Sequence, residues 1–218
     1  MKVLITSGSS DIAGLLHETL NREHSVVLTD DPSRSSAENC IACVLGHDEA
    51  TDQLCEGVDA IVLVCTSDGL SESSVIDVHS RKIYNLLTAA LEAGVKHVVM
   101  ISSLSLFDAV DPAYEIDEQW APSVTTDPEV LRYHVAEFVC REFARANRLA
   151  VTCLRTGDVV DSNPGDSDVT RSGLGVAVSA ALSQGGTGWS VYHVVSAGDR
   201  FSTDKIQKGL DVDPGRTV

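Results

Sequence analysis

Basic residues are scarce in this chain. Sixteen Lys and Arg stand against 32 Asp and Glu in 218 residues, giving a formal net charge of −16. A mean field of that sign repels polyanions, which argues against a nucleic-acid or acidic-membrane partner and leaves a solvated acidic surface as the reading of most carboxylates. Long apolar runs are missing too. No stretch approaches the ~20 residues of a membrane span, and no basic n-region precedes an apolar one as in a signal peptide. A cytoplasmic protein is expected. The six cysteines, Cys40, Cys43, Cys55, Cys65, Cys140 and Cys153, form no compact framework, which suits a reducing compartment. Cys40-x-x-Cys43 lacks a second Cys or His pair at the spacing of a structural zinc site, so these thiols are expected free and buried. The seven histidines make no i, i+4 pair, and Asp158, Asp161, Asp166 and Asp168 do not follow the spacing of a calcium loop. No metal is expected.

What is present is the composition of an ordinary globular protein, 43% hydrophobic and 22% charged, of a length that suits one domain over residues 1–218. Short apolar runs alternate with amphipathic stretches, a pattern that predicts a parallel sheet covered by helices on both faces. Val3 to Thr6, Ser25 to Thr29, Ile41 to Leu45, Ala60 to Cys65, His97 to Ile101 and Val151 to Leu154 are the predicted strands. Ile12, Leu15, Leu16 and Leu20 mark one helical face; Ile83, Leu86, Leu87, Ala90 and Leu91 mark another, ended by Gly94. A helix is predicted from about Glu129 to Asn147. The tail adds a helix from Leu174 to Leu182, a strand from Val191 to Val195 and a short helix near Thr203 to Gly209. No internal repeat interrupts this order. Residues 108–128 and 161–172 read as loops at the carboxyl edge of the sheet, where open parallel sheets bind ligands.

The opening segment, MKVLITSGSSDIAG, reads as a buried strand turning tightly into a helix, the place where a dinucleotide pyrophosphate binds. Glycines usually supply that turn in a G-x-G-x-x-G pattern. Here the small residues are Ser7, Gly8, Ser10 and Ala13, and Asp11 stands at the helix start, where it can cap the helix. A helix N-terminus favours anions, so the Asp11 carboxylate opposes a diphosphate by roughly 1 kcal/mol per unit-charge pair at 4 Å in water and about 4 at an effective dielectric of 20.

The order of these segments resembles the extended short-chain dehydrogenase/reductase superfamily, and within it the NAD-dependent epimerase/dehydratase family, over nearly the whole chain. VLITSGSSDIAG stands where that family has V-T-G-x-x-G-x-I-G, HSVVLTD ends in Asp30 where its second strand carries a ribose-binding acid, and CEGVDAIVLVC is similar to the approach to its fourth strand. VHSRKIYNLLTAALEAGVKHVVMISSLSLF looks like its long helix and fifth strand, LAVTCLRTG like its sixth strand, and FSTDKIQKGLDVDP like its closing helix. The resemblance implies a three-layer, doubly wound Rossmann-like fold with a much reduced C-terminal region, residues 173–218. It implies NAD as cofactor, held by Ser7, Gly8, Ser10, Asp11, Ile12, Asp30 and Cys65, and Val44 stands where many relatives have an adenine-contacting Asp.

The family's acid–base pair is Tyr-x-x-x-Lys. Aligning Ala136-Glu137 with the family's helix puts Glu129 at the tyrosine position and Tyr133 at the lysine position. Ser103 matches the family's substrate-facing hydroxyl, so Ser103, Glu129 and Tyr133 are the candidate catalytic residues. Asp30 is read as a ribose ligand or a polar strand end, and Ser102 and Ser103 as catalytic remnants or turn polar groups. Asn85 and Arg155 are expected to satisfy hydrogen bonds within the scaffold. Three readings fit these residues: an NAD(P)-binding family member with weak or absent turnover, acting as a redox sensor or regulatory scaffold; an active oxidoreductase, epimerase or dehydratase on a small sugar or sugar acid, with Glu129 and Ser103 replacing the usual acid–base group; and a cofactor-free interaction module. A homodimer is compatible with the family.

Overall fold

A computed structural model describes residues 1–35 and 39–216. Seven parallel strands form one sheet in the order β3-β2-β1-β4-β5-β6-β9. They are β1 (Lys2–Ile5), β2 (Ser25–Asp30), β3 (Cys40–Ala42), β4 (Ala60–Val64), β5 (His97–Ser103), β6 (Ala150–Thr156) and β9 (Trp189–His193). Between β6 and β9, β7 (Val159–Val160) and β8 (Val169–Thr170) make a separate two-stranded ladder. The strand order reverses between β1 and β4, which opens a crevice at the carboxyl ends of those strands, the ligand-binding point of doubly wound sheets. The chain thus has a Rossmann-type α/β fold.

Alternation along each strand sends apolar side chains into two cores. Leu4, Ile61, Leu63, Val98 and Met100 face a layer with α2 (Glu49–Cys55), α4 (Ile83–Glu92) and α5 (Pro128–Arg145). Val3, Ile5, Val62, Val99 and Ile101 face α1 (Asp11–Leu20), α6 (Arg171–Gln184) and α7 (Asp204–Leu210). A third cluster, Leu104, Leu106, Phe107, Ile116, Val195 and Phe201, anchors the 108–128 segment at the carboxyl edge. Among the described residues, no helix is long and apolar enough to cross a membrane.

Several predicted boundaries move. The third strand covers Cys40–Ala42 rather than Ile41 to Leu45, because Leu45 adopts φ +54, a left-handed conformation that cannot continue a strand. Helix α5 stops at Arg145, and Asn147, expected inside it, also takes φ +54. The α4 face is the end of a longer helical run: α3 (Glu72–Asp77) and a π-helical turn, Val78–Lys82, precede it. The sequence reading missed α2 and α3, each under two turns and without a wide apolar stripe. Residues 161–172 are not all loop, since they contain β8 and the first two residues of α6. The six cysteines are free, and all but Cys40 are buried.

Candidate functional site

The turn after β1 is held by its own backbone. Ser7 sits at φ +53, the left-handed conformation that glycine adopts without cost, and its hydroxyl donates to the Val64 carbonyl at 2.9 Å. The Gly8 N–H donates to the Thr29 carbonyl at 2.9 Å, drawing the turn so close to β2 that a Cβ on Gly8 would stand 2.7 Å from Cys40 Sγ and 3.0 Å from Leu28 Cβ. Glycine therefore survives where close approach requires it. Helix α1 is capped by Ser10, whose hydroxyl accepts from the Ala13 N–H at 3.2 Å. This corrects the expectation that Asp11 caps it. Ser10 has the extended backbone of an N-cap (φ −84, ψ 152) and Asp11 is already the first helical residue, so its carboxylate is free of that duty and faces the neighbouring cavity as a charge.

Asp30 closes β2. One carboxylate oxygen accepts from the Ser9 N–H at 3.0 Å and the other from the Asp31 N–H at 2.8 Å, while Arg34 approaches at 3.7 Å. The buried Asp30 carboxylate is thus oriented by the very turn that would cradle the pyrophosphate. Beside it lies a narrow groove of about 50 Å³ lined by Ser7, Asp30, Val44, Cys65, Leu70 and His79, among others. The π-helical turn supplies three of its lining residues, Val78, His79 and Lys82. Burial lowers the His79 imidazole to about 4, against its hydrogen bond to the Val75 carbonyl (2.6 Å). Lys82 pairs with Asp31 at 2.9 Å; hydrogen bonds from Ser33, and then Lys82, hold that carboxyl down at about 2. Sequence reading passed over His79 and Lys82. The available signal was the pair of polar residues in a stretch otherwise resembling helix, and π turns occur often at functional sites.

Cys65 joins this groove to a second cavity of about 240 Å³, lined by Asp11, Ile12, Ser102, Ser103, Tyr133, Thr156, Asp158 and Arg171 among others. Burial pushes the Cys65 thiol up to about 12, which makes it a wall rather than a nucleophile. A third cavity, about 380 Å³, continues past Ser103 and is bounded by Asp108, Pro112, Asp166, Ser167, Asp168 and Arg200. Both long loops therefore contribute lining residues. The three spaces follow the carboxyl edge of the sheet from β2 to β6, where doubly wound sheets bind ligands.

The structure brings Tyr133 and Ser103 into one cavity but does not place Glu129 among its lining residues. Glu129 is 57% exposed at its side chain, and one of its oxygens accepts from Ser67 Oγ at 2.6 Å and from Arg132 Nη1 at 2.7 Å. Arg132, which the sequence reading overlooked, is about 10% exposed. It donates through Nη2 to the Tyr133 phenol oxygen at 2.9 Å and lies 4.6 Å from the centre of that ring. Ser103 caps the short 3₁₀ turn that follows β5, its oxygen accepting from the Ser105 N–H at 3.1 Å.

Deeper in, Ser102 Oγ donates to Glu137 at 2.6 Å, and Arg155 holds the same carboxylate through Nε (2.8 Å) and Nη2 (2.7 Å). Ser102 and Arg155 thus serve the scaffold under the site, and Asn85 likewise donates to the Leu45 carbonyl at 3.0 Å. Among the described residues, no group of three His, Cys, Asp or Glu side chains is gathered as a metal site requires.

A family model described as NAD(P)H-binding matches residues 8–184. A search of curated proteins gives no match. Among solved structures, the chain is similar to uronate dehydrogenase from Agrobacterium tumefaciens (TM-score 0.84, 17% identity, covering 98% of this chain and 84% of that one). It is similar to a short-chain dehydrogenase/reductase superfamily protein from the same organism with bound NAD (0.81, 14%, 100% and 93%). It is also similar to UDP-N-acetylglucosamine 4-epimerase from Bacillus cereus (0.81, 16%, 100% and 94%).

Proposed function

Since the chain belongs to the NAD(P)H-binding family, we propose that it holds NAD(H) along the carboxyl edge of its sheet and that turnover through the family's usual acid–base position is weak or absent. A redox sensor or regulatory scaffold is the function this supports best. Asp30 would take the adenosine ribose, Ser7, Gly8, Ser10 and Ile12 the pyrophosphate, and Cys65 would pack against the cofactor between the two ends. The residues fit that group: Gly8 lets the turn pack tightly against β2, and the Asp30 carboxylate at the end of that strand is already oriented by the Ser9 N–H. Two features weaken the hold. Asp11 sets a negative charge beside the phosphates, and the groove at the adenosine end is narrow. When bound, the nicotinamide supplies hydride transfer.

The observation that carries the functional reading is the position of Glu129. The residue at the family's tyrosine position is turned to Ser67 and Arg132, away from the cavity that holds Ser103. A second reading, an oxidoreductase, epimerase or dehydratase on a small sugar or sugar acid, draws support from Tyr133 and Ser103 sharing one cavity. In that reading Ser103 would hold a substrate hydroxyl and Tyr133, rather than the outward-turned Glu129, would exchange its proton. Fluorescence of NADH titrated with protein, with ADP-ribose as competitor, tests binding, and incubation of NAD⁺ with neutral sugars and uronates tests turnover by the absorbance of the reduced nicotinamide. Binding without turnover supports the sensor; sustained reduction by any sugar replaces it with the enzyme; neither signal leaves a cofactor-free interaction module.

A further inference from the structure

We infer that Arg132 is a positioning residue that prepares the Tyr133 phenol as the proton-exchanging group of the cavity, with Glu129 acting as a brake on it. The inference deepens the second reading above and rests on the same cavity. It begins with the environment of the guanidinium. Arg132 is nine-tenths buried, one Nη donates to Glu129 and the other to Tyr133 Oη, and its Nε is buried with no partner among the described residues. A buried cation incompletely matched by hydrogen bonds is costly to keep. Its ion-pair partner among the described residues, Glu129, is more than half exposed, so neutralisation of that carboxylate does not account for burying it. Its other contact is a phenol that lines the cavity with Ser102, Ser103 and Thr156.

The chemistry follows from the direction of the bond. A guanidinium cannot be deprotonated in a protein and only donates, so the phenol oxygen is the acceptor and its own O–H is left for a group in the cavity. The same bond strengthens as charge develops on oxygen, because charge-assisted hydrogen bonds are the stronger kind. Tyr133 can thereby release a proton to a bound molecule and hold the resulting negative charge against Arg132. The surrounding groups act in both directions. Burial raises the Tyr133 pKa, Arg132 lowers it, and Cys65 and Glu129 raise it. Across the cavity Asp11 and Asp158 oppose a phenolate and Arg171 favours it. His79, on the π-helical turn, is held neutral near pH 7 in part by the Arg132 charge.

Glu129 consequently has a sign opposite to that of a catalytic base. It shares the guanidinium with the phenol and draws positive charge away from it. A structural role for Arg132 would move stability without moving the phenol, so the phenol is what must be read. The four tyrosines can be replaced by 3-fluorotyrosine, which brings phenol titration into an accessible pH range. The Tyr133 resonance is then assigned by its loss in Tyr133→Phe and followed by ¹⁹F NMR against pH on protein without dinucleotide. Arg132→Gln is expected to shift the Tyr133 titration to higher pH, Arg132→Lys to leave it near the parent, and Glu129→Gln to shift it to lower pH. If Arg132→Gln does not fold, the Glu129→Gln and Arg132→Lys results still decide. An unmoved titration in Arg132→Gln, or a shift to higher pH in Glu129→Gln, overturns the inference. Because no dinucleotide is present, failure here leaves cofactor binding intact, and failure of cofactor binding leaves this titration readable.

Discussion

The Ser9 N–H donates to the Asp30 carboxylate across 3.0 Å, tying the tip of the first turn to the end of the second strand, 21 residues away in the chain. An acid at that strand end is thereby held at a fixed place beside the groove, and the turn is prevented from collapsing into it. This pairing gives the amended turn its order despite having serine at positions where glycine is usual, and the proposal for NAD(H) depends on it.

Asp11 is the clearest site for improving that binding. It lines the cavity and does not cap the helix, so Asp11→Asn should remove charge with little loss of helix stability. Relief of one screened repulsion is worth about 1 kcal/mol, or roughly fivefold in affinity. Calorimetric dissociation constants for the two proteins check this; equal constants would place the phosphates elsewhere. Ser10 should be left alone, because it is the cap, and replacing a capping serine by alanine costs about 1 kcal/mol.

The buried Glu137–Arg155 pair beneath the site should behave as a unit. Both side chains are under a tenth exposed and joined by two short hydrogen bonds. Glu137→Gln leaves the guanidinium buried without its counter-charge, and a loss of about 3 to 5 kcal/mol in urea unfolding is expected. The double change Glu137→Met with Arg155→Met should recover much of that loss, since well-packed apolar replacements of a buried pair are often neutral. A single change that costs under about 1 kcal/mol would contradict this.

Stability should fall in mild acid through buried imidazoles. Burial lowers His79 from 6.5 to about 4 and His193 from 6.5 to about 3. The unfolded chain takes up these protons first, so the stabilising contribution is complete above pH 6.5 and declines as pH falls through 4 toward 3. Melting temperatures measured downward from pH 6.5 should decrease, and the decrease should be shallower in His79→Gln. A parallel decline in that variant would remove His79 as a cause.

Much of this fold was legible because strands buried on both faces, such as AIVLV at β4, read as continuous apolar runs, and because Asp30 and Gly8 sit at the ends of such runs. The order of the strands came with the resemblance. The site was legible in part. Ser103 and Tyr133, read by position, line one cavity, whereas the burial of Arg132 was missed, since a cation one residue before a tyrosine on a polar helix looks solvated in sequence. The cap at Ser10 was missed because serine and aspartate in adjacent positions have nearly equal cap preference, and only the backbone angles distinguish them.

A calorimetric titration of the protein with NAD⁺, NADH, NADP⁺ and NADPH decides whether the carboxyl edge of the sheet holds a dinucleotide. Saturable binding of NAD(H), tighter than that of NADP(H) because the Asp30 carboxylate repels a 2′-phosphate, is the predicted result. Absence of heat with every dinucleotide at millimolar concentration would contradict it.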